Sequence, residues 1–349
     1  MSLETVIGLA VVMGLVLVLP FSVKKVEEEL EAFLLVMGVL AVTISKKWSG
    51  HLVAEGFMEP VKITAAVLVV GFLFRSFRSR VRGAVDGLIG LMGRPAAIML
   101  LVFGLGLLSS VITAIIAALL LAEVVTALRL DRKYEVRLVI CACYAIGLGA
   151  ALTPIGEPLS TIAVSKLKGA PHHADFFFLF KLLAVWIVPG VAVVSFLAGA
   201  KTGHAVSAAA SLSEDRPERV GDIVLRAGKV YLFVMALVFL GAGLAPLAEQ
   251  TVAKVPNWGL YWINSISAVL DNATLTAAEI VPSMSADKIT YLLMGLLISG
   301  GMLIPGNIPN IICASKLGIK SREWAAFAAP LGGVLMLAYF VALELVLPG

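Results

Sequence analysis

Charged residues are scarce in this chain. Only 14% of its 349 residues are Asp, Glu, Lys or Arg, whereas 60% are hydrophobic and the mean hydropathy is +1.00. Because a soluble domain carries about 25% charged residues, this chain has too few to cover a water-exposed surface. The composition excludes a soluble enzyme, a secreted disulfide scaffold, a disordered chain and a nucleic-acid binder. Its apolar residues suffice for roughly ten membrane crossings of about 20 residues each.

Reactive side chains and nucleotide-binding motifs are also few. The three cysteines, Cys141, Cys143 and Cys313, all fall in apolar stretches, so we expect them to be small buried hydrophobic residues. The sequence has no Walker A motif, and ATP binding is therefore not expected. It has no nucleophile–base pair or metal cluster that would indicate an enzyme, and we expect no cofactor. No Arg lies in a predicted apolar core, so an anionic substrate would lack its usual partner.

Apolar runs mark the expected membrane helices. Two of these helices break at segments containing Pro and Gly, 153–158 and 305–309. Two other apolar stretches, 96–128 and 258–284, are long and carry polar residues midway, so we expect hairpins that enter and leave the membrane on one side. The predicted helices are 3–20, 32–44, 52–74 (ended by an Arg cluster), 135–152 resuming to 166, 176–198, 230–247, 289–303 resuming to 316, and 325–347.

The same order of elements occurs twice. Segment 108–114 matches 266–272, and segment 156–160 matches 306–310. With hairpins, the first unit crosses the membrane three times, which inverts the second unit. The sequence thus predicts an all-α polytopic membrane protein with inverted structural repeats, re-entrant hairpins and broken helices, an architecture typical of secondary transporters. The predicted parts are N-terminal scaffold helices 1–51, repeat unit one 52–199, a cytoplasmic linker 200–225 and repeat unit two 226–349.

Basic residues set the expected orientation. In the hairpin arrangement most Lys and Arg residues lie on one face, and the positive-inside rule places that face in the cytoplasm. Both termini are then predicted outside a multi-pass protein of the cell inner (plasma) membrane.

Two carboxylates lie at predicted interruptions. Asp271 is at the tip of the second hairpin, and Glu157 is in the first break between Gly156 and Pro158. A carboxylate near the bilayer centre costs at least about 2.5 kcal/mol, so each is a candidate to carry a proton or a cation. The alternatives stay open: Asp271 could cap the hairpin, and Glu157 could be an interfacial loop residue.

Hydroxyl and amide side chains surround both carboxylates. Interrupted helices also free backbone carbonyls, and a hard cation such as Na⁺ prefers oxygen ligands of these kinds. We predict one site in each unit, with Na⁺ held at Glu157 in the first and at Asp271 and Asn272 in the second. The further candidate cation ligands are Ser109, Ser110, Thr113, Thr153 and Ser160 in unit one, and Ser267, Asn272, Thr274, Asn307 and Asn310 in unit two. The expected hinges are Gly156, Pro158, Gly306 and Pro309.

Five other acidic residues are weaker candidates, and one of them, Glu344 near the end of the last helix, is expected to be interfacial. Glu123 and Glu279 lie on the exit legs of the two hairpins, where either a proton relay or an interfacial position is possible. Glu55 and Glu59 precede the third helix, and we expect them to be solvated.

The tip sequence Ser267-Ala-Val-Leu-Asp-Asn-Ala-Thr274 resembles the hairpin-tip motif of the ion transporter superfamily, especially the NhaD-type sodium/proton antiporters and a branch of cation transporters. Segment 306–310 resembles the superfamily's second unwound loop, and 156–158 resembles its partner. The resemblance covers roughly residue 52 to the C-terminus. It implies a scaffold, a mobile transport domain holding both hairpins, a homodimer and alternating access. The first tip departs from the motif, since 110–114 has neither Asp nor Asn.

These features together predict a secondary active cation transporter. The expected activity is Na⁺/H⁺ antiport by an elevator-like alternating access, with Na⁺ and H⁺ as the transported ions. The alternative is a Na⁺-coupled symporter of a small anion or organic acid. An ion channel is disfavoured because inverted broken-helix repeats are more typical of carriers.

Overall fold

A computed structural model describes residues 3–128, 130–200, 220–252, 255–265 and 272–347. Within these ranges all regular secondary structure is helical, and there is no β-strand. The helices are α1 (Leu3–Ser22), α2 (Lys24–Glu28), α3 (Leu30–Ser45), α4 (Gly50–Met92), α5 (Arg94–Ile112), α6 (Ala114–Leu128), α7 (Arg132–Ala150), α8 (Pro158–Lys166), α9 (Phe178–Ala200), α10 (Val220–Val252), α11 (Asn257–Ile263), α12 (Asn272–Glu279), α13 (Ala286–Ser299), α14 (Ile308–Leu317) and α15 (Ser321–Val346).

Five described helical segments are long and apolar enough to cross a membrane. They are Leu3–Pro20, Arg94–Ile112, Phe178–Ala200, Ile223–Leu247 and Ser321–Val346. Large apolar side chains such as Val185 on α9 and Val334 on α15 are exposed on the protein surface, as lipid-facing residues are. The protein is therefore an all-α polytopic membrane protein, as the sequence predicts.

Local sequence explains where several helices begin. The side chains of Ser49, Asp131 and Ser285 each accept a hydrogen bond from a backbone N–H in the first turn of α4, α7 and α13, at 3.0–3.2 Å. Such caps satisfy donors that have no partner within the helix.

One predicted boundary is wrong. The sequence places the end of the third helix near residue 74, at the Arg cluster, but α4 continues to Met92. Arg and Ser are compatible with a helix, whereas Gly93 adopts a φ of 77° that other residues rarely reach, so the chain turns there. The predicted linker lies mostly outside the described residues, and α10 already begins at Val220.

The two predicted helix breaks are present at matching places. After α7 the chain is non-helical from 151 to 157 and resumes as α8, and after α13 it leaves the α-helix from 300 to 307, with a 3₁₀ turn at Ile304–Gly306, and resumes as α14. Both continuing helices begin with an extended residue at the cap position followed by Pro within the first two helical residues. Proline suits this position because its missing N–H would have no helical partner.

The long stretch between α4 and α7 forms a hairpin whose tip is Thr113. At its outer end, Gly199 of α9 lies against the backbone of Pro95 in α5, and Ala198 accepts a hydrogen bond of 2.8 Å from Tyr134 in α7. The start of α5 is therefore beside the start of α7. Because α6 ends at Leu128, just before α7 begins, α5 and α6 enter and leave on the same side.

The described part of the second unit has the same form. Lys288, in the first turn of α13, donates a hydrogen bond of 3.1 Å to the Val255 carbonyl just before α11. Since α12 ends at Glu279, close to the start of α13, the outer ends of α11 and α12 also share one side.

The broken helices of the two units run in opposite directions. Arg132, at the start of α7, donates to the carbonyls of Leu317 and Gly318 at the end of α14, at 2.8 and 2.9 Å. Lys166, at the end of α8, donates at 3.3 Å to the Ile280 carbonyl ahead of α13. Each broken helix therefore begins where the other ends, which is the geometry of an inverted repeat.

The core consists of α7 and α13, surrounded by the other helices. Every residue from 138 to 150 and from 289 to 299 is buried. The three cysteines are also buried, as the sequence predicts, and the Cys143 and Cys313 thiols contact backbone carbonyls at 3.7 and 3.5 Å.

Candidate functional site

A cavity of about 480 Å³ lies where the interruptions of the two units meet. Its polar lining comes from α4, the first hairpin tip, both helix breaks and the start of α12. The residues that supply it include Glu55, Glu59, Thr113, Glu157, Asn272 and Asn307. The expected hinges Gly156 and Pro158 also line it. The sequence predicts two separate sites, whereas this one cavity draws on both units.

Glu157 is the buried carboxylate of the cavity. It occupies the cap position of α8 with an extended backbone (φ −156°, ψ 161°), and only 7% of the residue is exposed. Its side chain does not cap its own helix. The carboxylate is therefore held in the low-dielectric interior at the positive end of a helix, which favours its negative charge.

A backbone hydrogen bond joins the first hairpin tip to the first break. The Ala114 N–H donates to the Gly156 carbonyl at 2.8 Å, next to Glu157. The tip residue Thr113 has φ 77° and ψ 148°, a conformation that only glycine adopts freely. Backbone strain of this kind in a β-branched residue costs about 1–3 kcal/mol and is typical of functional sites.

Asn307 occupies in unit two the position that Glu157 holds in unit one. Its backbone is likewise extended (φ −154°, ψ 144°), and it occupies the cap position of α14 without a capping hydrogen bond from its side chain. Its amide lies close against α7, since a Cβ atom added to Gly147 would be 2.6 Å from the Asn307 Nδ2. The glycine therefore allows the second unit's break to reach the core helix of the first unit.

Asn272 lies beside the second break in a similar manner. A Cβ atom added to Gly300 would be 2.8 Å from both the Nδ2 and the Oδ1 of Asn272. The amide of the second hairpin is thus held beside the end of α13, and its residue lines the same cavity as Asn307.

Glu55 and Glu59 also line this cavity, a position that the sequence did not predict, although Glu55 is exposed as expected and Glu59 is partly buried. They lie one turn apart near the start of α4, and both line the cavity with Glu157. The sequence offered one sign of this position: two acidic residues four apart, and therefore on one helix face, at the start of an apolar helix. It could not be distinguished from a solvated surface without the position of α4.

Several predicted cation ligands instead hold the interruptions together. Ser109 donates to the carbonyls of Gly106 and Ile146, Ser110 to that of Leu107, and Thr153 to that of Ser110. Ser160 donates at 3.4 Å to Ala150 across the first break. These contacts satisfy carbonyls that a broken helix leaves without helical partners.

Asn310 has the same structural role in the second break. Its Nδ2 donates to the carbonyls of Gly300 and Leu303, both at 2.9 Å. The expected hinges on either side of Asn307 are both part of this break, Gly306 in the 3₁₀ turn and Pro309 in the first turn of α14. Asn310 and the four hydroxyl residues are not among the described residues that line the cavity, and their cation-binding role stays a prediction.

Asp271 and Ser267 lie outside the described residues, so the structure does not place them. Thr274 is in α12, but its side chain is not among those described. Their roles also stay predictions. Asn272, the immediate neighbour of Asp271, does line the cavity.

Together these features define a class: an all-α membrane protein built from inverted units, with a buried carboxylate and amides at the point where their broken helices meet. The chain belongs to a family described as a protein of unknown function (DUF1646), which matches residues 6–346. No curated protein matches the chain.

Proposed function

We propose that this protein is a secondary active cation transporter that exchanges Na⁺ for H⁺. The observation that supports this most directly is the shared cavity of about 480 Å³, into which both interrupted units contribute polar groups around Glu157. Interrupted helices at the interface of inverted repeats are where secondary transporters bind their ions. The proposal assigns transport and no enzymatic activity, with Na⁺ and H⁺ as the only ligands and no cofactor.

The charge of the cavity favours a cation over an anion. Three carboxylates, Glu55, Glu59 and Glu157, are among its described lining residues, and no Lys or Arg is among them. Acidic side chains around a low-dielectric cavity raise the local concentration of cations. The amide oxygens of Asn272 and Asn307 add neutral ligands suited to Na⁺.

Exchange follows from competition for one carboxylate. Burial disfavours the charged form of Glu157, so the group binds either a proton or a cation. If both ions use the same carboxylate in turn, the two cannot cross together. We propose that Asp271 has the same role in the second unit.

Alternating access is supported by cavities at both ends of α14. The Glu157 cavity reaches Ile308 at its start, and a second cavity of about 300 Å³ is lined by Ala314, Ser315 and Gly318 near its end. We propose that the hairpins move in an elevator-like manner against the scaffold, so that the ion site opens to the two sides in turn. The protein is then a homodimer in the cell inner membrane with both termini outside.

Reconstitution into liposomes tests the proposal. A Na⁺ gradient is imposed across proteoliposomes, and the internal pH is followed with an entrapped dye. We expect the imposed Na⁺ gradient to drive a pH change that empty liposomes do not show. A pH change that requires an added organic anion would instead favour the Na⁺-coupled symporter. Absence of any Na⁺-driven pH change, with radiolabelled Na⁺ uptake also absent, would reject both.

A further inference from the structure

The exit helices of the two hairpins carry acidic residues with different partners. Glu123 is on α6, ten residues after the tip residue Thr113, and Glu279 is at the end of α12, eight residues after Asp271. Each exit helix also packs against the continuing helix of the other unit, α6 against α14 and α12 against α8. Lys316 on α14 and Lys166 on α8 are corresponding residues, because both precede Leu in a shared Ser-Lys-Leu sequence.

In the first of these crossed contacts the charges are neutralised. Lys316 forms an ion pair with Glu123, and the two side chains are only 5% and 10% exposed. A buried carboxylate with a lysine partner stays charged, because the ammonium replaces the water that burial removes.

In the second crossed contact the carboxylate has no such partner. Lys166 donates at 3.3 Å to the backbone carbonyl of Ile280, and no ion pair joins it to Glu279 in the described chain. Glu279 is 1% exposed, and its Oε2 has no hydrogen-bond partner. An ion pair with Lys316 thus neutralises Glu123, whereas none of the described ion pairs includes Glu279.

Two further buried oxygens lie around Glu279. The Asn264 amide is hydrogen-bonded to the Glu279 carboxyl, and Thr276 is one turn earlier on the same face of α12. Both residues are fully buried, and neither Asn264 Oδ1 nor Thr276 Oγ1 has a hydrogen-bond partner. A proton on Glu279 would add a donor to a site in which the Asn264 Oδ1 acceptor has no donor.

The charged groups on the neighbouring helices are engaged elsewhere. Lys166 of α8 donates a hydrogen bond to the Ile280 carbonyl, and Lys288 of α13 donates one to the Val255 carbonyl. On α10, Lys229 lies 3.8 Å from Glu31. In the loop before α9, the Nε2 of His172 lies 2.8 Å from the Met284 carbonyl oxygen. None of these described groups pairs with the Glu279 carboxyl.

We propose that Glu279, supported by Asn264 and Thr276, is a proton-binding site separate from the Glu157 cavity. The carboxylate takes up one proton from water on one side of the membrane, stays a neutral carboxylic acid while the hairpin is buried, and releases the proton when the hairpin reaches water on the other side. No other bond forms or breaks. The inference rests on the proposed Na⁺/H⁺ exchange, because it adds to Glu157 a second carboxylate, outside the cation cavity, that carries a proton in that exchange.

Separate assays of Na⁺ and H⁺ test this assignment. Glu279→Gln keeps the shape of the side chain but cannot release a proton. In proteoliposomes we expect Na⁺-driven H⁺ movement to fall at least about tenfold, whereas exchange of radiolabelled Na⁺ for Na⁺ stays within about twofold of the wild type. The matched control is Glu344→Gln, at an exposed carboxylate of α15, which should leave both rates unchanged.

A melting experiment separates failure of the site from failure of the proposed function. In detergent, the wild-type melting temperature should fall as pH rises from about 4 to about 8, because deprotonation leaves a buried charge in the folded protein but a solvated charge in the unfolded chain. Glu279→Gln should reduce this fall, and Glu344→Gln should not. These melts need no transport, so they test the proton site even if the wild type moves no Na⁺.

Three results would overturn the assignment. Glu279→Gln could move protons at the wild-type rate, it could lose Na⁺/Na⁺ exchange together with proton movement, or it could melt with the same pH dependence as the wild type. The second result would make Glu279 a cation ligand or a structural residue. By contrast, a wild-type protein that moves no protons, together with the expected melts, would reject the antiport proposal and leave the proton site in place.

Discussion

The ammonium of Lys316 on α14 pairs with the carboxylate of Glu123 on α6, deep inside the protein. This contact joins the hairpin of the first unit to the broken helix of the second. Lys316 is in the last turn of α14, beside the residues Ser315 and Gly318 that line the second cavity, so the pair fixes the first hairpin to this end of α14.

Removing one member of this pair should destabilise the protein strongly. Lys316→Met leaves the Glu123 carboxylate buried without its cation, and we expect a loss of about 3–5 kcal/mol in the free energy of unfolding. The double variant Glu123→Gln with Lys316→Met should recover most of that loss. Thermal unfolding in detergent measures both. As a control, Lys181→Met breaks an exposed ion pair with Asp175 and should change the melting temperature little. If Lys316→Met and Lys181→Met had the same melting temperature, the result would contradict a stabilising buried ion pair between Lys316 and Glu123.

Glu157→Gln should abolish exchange and preserve the fold. The amide has nearly the shape of the carboxylate, but it can neither carry a proton nor neutralise a cation. We expect Na⁺/H⁺ and Na⁺/Na⁺ exchange to fall together, which distinguishes this residue from Glu279. Glu157→Asp keeps the charge and should retain part of both activities. Na⁺ exchange at the wild-type rate in Glu157→Gln would be incompatible with a cation site at this residue.

Gly147→Ala should displace Asn307 from the cavity. The added methyl group would lie 2.6 Å from the Asn307 amide nitrogen, so the second break must move away from α7. We expect transport to fall about tenfold or more, because small displacements of a binding group have large effects on rate. Gly104→Ala is the matched control: its Cβ has no neighbour within 4 Å in α5. Equal effects of the two substitutions on transport would argue against a role for the Gly147–Asn307 contact.

Thr113→Gly should raise stability at the hairpin tip. Glycine adopts a φ of 77° without strain, and this gain of about 1–3 kcal/mol exceeds its entropic cost of about 0.5–1 kcal/mol. The same substitution at Thr126, inside α6, should have the opposite sign because that residue is helical. Melting temperatures of the two variants provide the comparison. A lower melting temperature for Thr113→Gly than for the wild type would show that the tip conformation carries no strain.

Asp271→Asn tests the residue that the tip motif points to. We expect loss of Na⁺-driven proton movement with the melting temperature little changed, because the amide retains the size of the carboxylate and one acceptor oxygen but not its charge. Asp287→Asn, at the exposed start of α13, should leave transport unaffected. Exchange at the wild-type rate in Asp271→Asn would remove that residue from the mechanism.

The sequence predicted local features well. The interruption near Thr113, the breaks after α7 and α13 and the ends of most apolar helices follow from residues close together in the chain. The predicted end of the third helix was wrong, because a cluster of Arg residues makes a helix more polar but does not terminate it. Glu55 and Glu59 were interpreted as solvated, because no residue close to them in the chain indicates that the start of α4 lines the same cavity as Glu157.

By itself, the sequence determined a membrane protein with repeated, interrupted helices, since hydropathy and helix-breaking residues act within one segment. Only the tertiary structure decided which groups meet. It brought polar groups from both units into one cavity, paired Lys316 with Glu123, and left Glu279 outside the described ion pairs. The physical reason is that the charge state of a buried carboxylate depends on its neighbours within a few ångströms, and here those neighbours come from segments far apart in the chain.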